Sequence, residues 1–200
     1  MKKILIYFLF IFISPIFAAA EPVDLDKIIS YLNSIRTLGA DFRQVNNDGS
    51  ASVGSLYIKK PGKFRMTYAP PDTSVVIVRD DYVTIFDKKN NSSYQKLSIE
   101  KSPFRILLSS ELELDMDYMT IDFDSDNVRT KIIVSDTNTN NQGTLEIIFN
   151  NKPLALKKWL LTNSLNEKIT VNLTNLFVPD ALQDSLFDPN IEFNKNTNKP

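Results

Sequence analysis

Residues 59–68 read Lys59-Lys60-Pro61-Gly62-Lys63-Phe64-Arg65-Met66-Thr67-Tyr68, and Pro70-Pro71 follows closely. Pro61-Gly62 is a dipeptide typical of a turn between two strands. After this turn, apolar and polar side chains alternate, which is the period of a β-strand with one buried face. The stretch therefore predicts a β-hairpin whose buried face is rich in aromatic and other large apolar side chains.

The same alternation continues on both sides of the hairpin. Apolar residues at every second position predict about ten strands between residues 40 and 173, separated by turn sequences such as residues 46–49 and 138–143. So many antiparallel strands cannot remain flat. We expect a mainly β protein with an α cover (α+β), in which an incomplete antiparallel β-barrel, or strongly curled sheet, of about ten to eleven strands is closed by a helical lid.

Two short segments have the period of a helix. From Asp24 to Arg36 the apolar residues recur at helical spacing, with Asp24 as the N-cap. Ser102-Pro103 is typical of a helix start, and it precedes an apolar face formed by Phe104, Leu107 and Leu108. We expect these two helices to cover the open side of the sheet.

The ends of the chain predict export. Lys2 and Lys3 precede an apolar stretch that ends in Ala18-Ala19-Ala20, the order found in a signal peptide. A membrane anchor is the alternative, although an apolar stretch of roughly 14 residues falls short of the ~20 needed to span a bilayer. We therefore expect a signal peptide at 1–20, a single domain at 21–193, a disordered tail at 194–200 and a soluble, exported protein.

Composition excludes several kinds of chemistry. The chain has no cysteine and no histidine, so disulfides, Ser-His-Asp or Cys-His nucleophiles and the usual zinc sites are ruled out. A net charge of -1 gives no attraction to nucleic acid. We expect no enzyme activity, no cofactor and no metal, and a protein that binds an apolar ligand. A hydrolase that uses only carboxylates is the remaining enzymatic alternative.

One acidic run imitates the start of a calcium loop. Residues 122–126 read Asp122-Phe123-Asp124-Ser125-Asp126. Asn127 replaces the glycine that such a loop requires, and Ile133 stands where the bidentate glutamate belongs. The run is better interpreted as the solvated face of a strand.

The order of features resembles the LolA family of periplasmic lipoprotein carriers. The motifs that carry the resemblance, after the initial helix, are Phe42-Arg43-Gln44, Gly54-Ser55-Leu56, the stretch Lys60 to Tyr68, the strand from Tyr82 to Asp87, and Ser102-Pro103-Phe104 through Leu108. Each motif is weak alone, but together they follow the family's order over most of the chain. Two positions depart from the family: Lys60 stands where an Arg is usual, and Met66 where a Trp is usual.

The resemblance implies a function. Proteins of this family receive the acyl chains of lipoproteins from an inner-membrane ABC exporter, cross the periplasm and deliver the cargo to an outer-membrane lipoprotein acceptor. The acceptor shares the fold but is itself a lipoprotein, so the absence of cysteine favours the soluble carrier. We expect a monomer in the periplasm. An adaptor of the cell envelope that senses lipids or lipoproteins with the same fold is the alternative.

The resemblance also implies site residues. The expected lipid-binding cavity or lid comprises Phe42, Leu56, Phe64, Met66, Tyr68, Phe104, Leu107 and Leu108, and the alternative is that the side chains of the β3 strand and the short helix are ordinary core. Lys60 is expected to act as a lid latch that donates hydrogen bonds to lid oxygens. Phe64 is expected at the rim, in contact with the transporter or the cargo.

Overall fold

The computed structural model describes residues 23–87, 94–100, 102–112, 119–136 and 143–197. The predicted signal peptide at residues 1–20 lies outside these ranges. The elements in chain order, with η marking a 3₁₀ helix, are α1 (Leu25–Ser34), β1 (Thr37–Val45), β2 (Ala51–Lys59), β3 (Lys63–Tyr68), β4 (Val75–Arg79), β5 (Tyr82–Phe86), β6 (Tyr94–Ser98), η1 (Pro103–Leu107), β7 (Met119–Ser125), β8 (Arg129–Asp136), β9 (Thr144–Asn151), β10 (Leu154–Thr162), β11 (Lys168–Phe177), η2 (Asp184–Phe187) and α2 (Pro189–Thr197).

The eleven described strands form one antiparallel sheet in the order β6-β5-β4-β3-β2-β1-β11-β10-β9-β8-β7. Sequence neighbours pair as hairpins on either side of a central junction, where β1 pairs with β11 and Phe42 lies opposite Leu173. Strands β6 and β7 are the two edges, so the sheet curls without closing into a barrel. This architecture confirms the predicted fold class.

The hairpin predicted from residues 59–68 consists of β2 and β3. Ile58 lies opposite Phe64, and Lys59 lies opposite Lys63. Gly62 sits in the turn with φ of 70°, a left-handed conformation that costs glycine little. The hairpin therefore sends Phe64 to one face of the sheet and Arg65 to the other.

The concave face of the sheet carries the main apolar core. Its fully buried side chains come from both halves of the sheet, including Leu56 of β2 and Phe149 of β9, and α1 adds Ile28 and Leu32. Burial of each such side chain stabilises the fold by about 1.5–3 kcal/mol. The core thus joins the lid helix to both halves of the sheet.

The convex face carries a smaller apolar cluster of Val75, Ile77 and Phe86. The chain returns over this face after β11: η2 packs on β3 and β4, and α2 packs on β5. We call residues 182–197 the C-terminal strap.

Residues 194–197, the first part of the predicted disordered tail at 194–200, belong to the strap. The structure continues α2 to Thr197, and residues 198–200 lie outside the described ranges. A tertiary contact explains the difference, because Glu192 forms a buried ion pair with Arg65 of β3 at 2.9 Å. The amino-acid composition around residue 194 does not reveal this contact.

Asp122 and Asp124 are exposed residues of β7, and Asp126 caps the following turn by accepting hydrogen bonds from the backbone N–H groups of Val128 and Arg129. Within the described ranges, acidic side chains do not gather in threes in a way that could hold a metal ion. None of the helices in those ranges combines the length and apolar character needed to cross a bilayer.

Candidate functional site between the lid and the sheet

The lid consists of α1 and residues 102–112, which include η1. Helix α1 begins after Asp24, whose side chain accepts a hydrogen bond from the backbone N–H of Lys27 at 2.8 Å. Ile28 and Leu32, four residues apart, lie on one face of the helix and are buried against the concave side of the sheet. The helix is therefore amphipathic, with its apolar face towards the strands.

The second part of the lid is a single 3₁₀ turn. The Ser102 side chain accepts a hydrogen bond from the backbone N–H of Phe104, and Pro103 occupies the first turn. Because a 3₁₀ helix has three residues per turn, Pro103 and Ile106 share the buried face, and Leu107 and Leu108 are also buried. The sequence predicted this element but omitted Ile106 from its apolar face.

Three aromatic rings meet where η1 contacts the sheet. The ring centroid of Phe64 lies 5.2 Å from that of Phe104 and 6.5 Å from that of Trp159, and the Phe104 and Trp159 centroids are 5.9 Å apart. Phe64 is only 2% exposed. The placement of Phe64 at a rim was therefore wrong for this state, since η1 and β10 cover it.

The remaining predicted cavity residues belong to the same core. Phe42, Leu56 and Met66 are at most 5% exposed, and Tyr68 is half-buried with its ring 5.0 Å from that of Phe42. The Tyr68 hydroxyl donates to Oε1 of Gln44 at 2.6 Å, and burial raises the pKa of Tyr68 to about 12. The protein's own side chains thus fill the interior. The closed lid packs against the sheet where the predicted cavity would lie, so most of the predicted site residues are core residues in this state.

Lys60 joins the hairpin to the lid. Its Nζ donates a hydrogen bond to the carbonyl oxygen of Leu32 at 2.8 Å, and the side chain is buried. Leu32 lies in the last turn of α1, where the helix dipole favours a cation, and its carbonyl also accepts from the backbone N–H of Ile35 at 3.3 Å. Burial and the nearby charge of Arg36 lower the pKa of Lys60 to about 8.

Backbone groups near Lys60 add two further contacts. The Lys60 N–H donates to the Arg36 carbonyl at 2.9 Å, and the Gly62 N–H donates to the carbonyl of Leu108 at 2.9 Å. The turn of the β2–β3 hairpin therefore contacts both parts of the lid.

The two parts of the lid are also bonded to each other. The Asn33 side chain donates to the Leu112 carbonyl at 3.1 Å and accepts from the Leu112 N–H at 2.8 Å. The Arg36 guanidinium donates to the Ser110 carbonyl at 3.3 Å. These bonds join α1 to residues 102–112 as one unit.

A cleft of about 380 Å³ opens to solvent beside this unit. It lies between η1, the β2–β3 turn and the β4–β5 turn. Ile106, Leu108 and Val78 form its apolar part, while Asp81 and Arg105 stand among its polar residues. The cleft thus brings solvent next to side chains of the lid core.

The model of the family described as "Outer membrane lipoprotein carrier protein LolA" matches residues 33–190. This chain belongs to the LolA family. An uncharacterized protein of Rickettsia prowazekii (strain Madrid E) is 27% identical over 189 residues, which is 94% of this chain and 87% of that protein. The outer-membrane lipoprotein carrier protein of Methylococcus capsulatus is 34% identical over 111 residues, 52% of either chain.

Among solved structures, a DUF1329 family protein from Desulfovibrio piger superposes with a TM-score of 0.50 and 10% sequence identity. The match covers 82% of this chain and 95% of that one. At this identity the likeness shows the fold alone. The LolA-family match ends at residue 190, so it includes Arg65 but not Glu192, its partner in the buried ion pair of the strap.

Three polar or aromatic residues of this LolA-family site were not singled out from the sequence. Tyr31 and Asn33 carry hydrogen bonds of the lid, and Trp159 packs against Phe104 of η1. A tyrosine and an asparagine within an apolar helical pattern could have indicated polar contacts of the lid. Their backbone partners are distant in sequence, so the pattern did not reveal their roles.

Proposed function

We propose that this protein is a periplasmic carrier that binds the acyl chains of lipoproteins released by an inner-membrane ABC transporter and delivers them to an outer-membrane lipoprotein acceptor. Family membership supports this role, as does the likeness to the carrier of Methylococcus capsulatus. The structural observation that carries the proposal is the continuous apolar core between the curled sheet and a lid held by a few hydrogen bonds. The protein works by binding and not by catalysis.

Opening the lid would convert this core into a binding site. An acyl chain of about 15 methylenes gains on the order of 10 kcal/mol when it leaves water. It would replace the contacts of Leu107 and Leu108 with the strands, so part of this gain offsets the loss of the lid's own burial. A site that must open before it binds has a moderate net affinity, which suits a carrier that also has to release its cargo.

The cleft beside η1 offers a starting point for entry. Ile106 and Leu108 line this cleft and also belong to the buried core. An acyl chain that enters between η1 and the β4–β5 turn would therefore meet the lid core first. Its advance would separate Leu108 from Gly62, whose backbone hydrogen bond spans this boundary.

The proposal is tested by cargo transfer. The purified protein is incubated with spheroplasts, recovered, and analysed by native mass spectrometry for bound triacylated lipoprotein. Phe104→Ala removes a lid ring that contacts Phe64 and Trp159, whereas Phe193→Ala removes an exposed ring on the convex face. We expect cargo with the wild type and Phe193→Ala, and a loss of at least severalfold with Phe104→Ala.

Circular dichroism verifies that both variants fold. Equal cargo recovery by the two variants would mean that the interior of the lid takes no part in binding cargo. Recovery of free lipid without lipoprotein would favour the adaptor of the cell envelope, and no lipid in any sample would contradict the carrier proposal.

A further inference from the structure

We propose that Tyr31 is a second latch of the lid, whose hydroxyl holds α1 to the half of the sheet that Lys60 does not reach. The inference rests on the proposed function, because a latch has a purpose only if the lid opens for cargo. The two latches engage adjacent residues of α1, Tyr31 and Leu32, and each ties the helix to a different half of the sheet.

The geometry at Tyr31 is that of a hydrogen bond anchored by a packed ring. Its hydroxyl accepts the backbone N–H of Leu156 at 3.0 Å. Its ring meets that of Phe149 edge-on, with centroids 5.9 Å apart and planes at 88°. Burial raises the pKa of Tyr31, so the phenol stays neutral at physiological pH. A neutral hydroxyl can accept from a backbone donor without burying a charge.

The donor, the N–H of Leu156, lies next to an irregularity in strand pairing. The pairing of β10 with β9 shifts register between Leu156 and Lys158. The pairing of β10 with β11 begins only at Lys158. Leu156 is 2% exposed, so its N–H cannot turn to bulk water. The Tyr31 hydroxyl therefore accepts a hydrogen bond from a buried backbone donor beside an irregularity of the sheet.

The two latches point in different directions. Tyr31 bonds through its side chain, which leaves α1 sideways, whereas Leu32 bonds through its backbone carbonyl, which points along the helix axis at the C-terminal end. Leu32 accepts from Lys60 at the end of β2, and Tyr31 accepts from β10. In the sheet order, β1 and β11 separate β2 from β10. With one latch lost, α1 can pivot about the other.

The latch acts on the whole lid. Because Asn33 is bonded to both the N–H and the carbonyl of Leu112, a displacement of α1 draws residues 102–112 with it. Phe104 within that segment covers Trp159, the single tryptophan of the chain. Trp159 fluorescence therefore reports whether the lid is closed.

The test uses the full chain without cargo. Tyr31→Phe removes the hydroxyl and keeps the ring, and Tyr57→Phe is the matched control on the convex face, where that ring packs on Phe177. We expect Tyr31→Phe to increase acrylamide quenching of Trp159 and to speed hydrogen exchange at the Leu156 amide about tenfold, the equivalent of about 1.4 kcal/mol. Tyr57→Phe should match the wild type in both measurements.

A purely structural role for Tyr31 would lower protection throughout the sheet. The latch predicts faster exchange in the lid and at Leu156 with little change in β1 and β11, and stronger quenching in the double variant with Lys60→Met than in either single one. Unchanged quenching and exchange in Tyr31→Phe would overturn the latch, even if the wild type carries lipoprotein. If Tyr31→Phe alters lid opening but the wild type carries no lipoprotein, the latch proposal stands and the carrier proposal is rejected.

Discussion

Lys60 shows how one buried cation shapes the site. Its ammonium is held in the lid core, where desolvation penalises the charged form, and the charge of Arg36 adds to that penalty. The carbonyl of Leu32 at the end of α1 supplies a compensating hydrogen bond. An Arg, usual here in the LolA family, would offer a planar fork instead of a single ammonium. The local consequence is a group that releases its proton more readily than a surface lysine.

This titration predicts how stability depends on pH. The pKa of Lys60 is about 8 in the folded protein, against an ordinary value of 10.5. Between these values the unfolded chain holds a proton that the folded protein has released, so the free energy of unfolding rises with pH across this window. Below pH 8 both states are protonated and the burial cost is present in full.

We expect the wild type to gain stability relative to Lys60→Met as the pH rises from 8 to 10.5. Urea unfolding of both proteins at a series of pH values measures this difference. Curves that run parallel across the window would contradict the buried, charged Lys60.

Individual residues also show which parts of the site could be predicted from the sequence. The alternation around Phe64 and Met66 predicted which side chains enter the core, because a strand sends every second residue to one face. The rim position of Phe64 was expected from the family resemblance and was wrong for this state, since the ring that covers Phe64 belongs to a lid residue distant in sequence. The role of Tyr31 depends on a register shift in β10, which no periodicity reveals.

At the scale of elements, the C-terminal strap is clamped to the β2–β3 hairpin by charge. Asp184 accepts from Lys59 at 2.7 Å and from Lys63 at 2.9 Å. Further along the strap, Glu192 pairs with Arg65 at 2.9 Å, and both side chains are largely shielded from solvent. The hairpin thus holds the lid on one face and the strap on the other. The hairpin was predicted from the sequence, but its contact with the strap was not.

The two acidic contacts should differ in strength. Glu192→Gln leaves the buried Arg65 without its carboxylate, and such a loss costs on the order of 3 kcal/mol of unfolding free energy. Asp184→Asn makes the same chemical change at a side chain that is 57% exposed, where ion pairs contribute little. We expect a clearly lower urea midpoint for Glu192→Gln and a small shift for Asp184→Asn. Equal shifts of the urea midpoint would mean that the burial of an ion pair does not determine how strongly it stabilises the strap.

In the whole molecule, the sheet is held by backbone hydrogen bonds between its strands, whereas the lid is held by apolar contacts and a few hydrogen bonds. Central strands such as β1 and β11 are paired on both sides, whereas the lid reaches the sheet through apolar contacts and single hydrogen bonds such as that of Lys60. Segments with fewer protected backbone bonds open at a lower free energy. The lid should therefore open while the sheet stays folded.

Native-state hydrogen exchange tests this hierarchy. We expect amides of α1 and residues 102–112 to share one opening free energy, because Asn33 joins the two segments. That free energy should lie below the value for β1 and β11. Lid amides that exchange only through global unfolding would mean that the lid cannot open on its own.

The pairing of β1 with β11 also constrains how the chain assembles. The first and last strands meet at the middle of the sheet, with Phe42 opposite Leu173, so the central ladder requires nearly the full polypeptide. Contacts between such distant positions form late, because the intervening loop loses entropy on closure. The hairpins on either side can pair as they are made, whereas the centre of the sheet can close only once the strand that contains Leu173 is present.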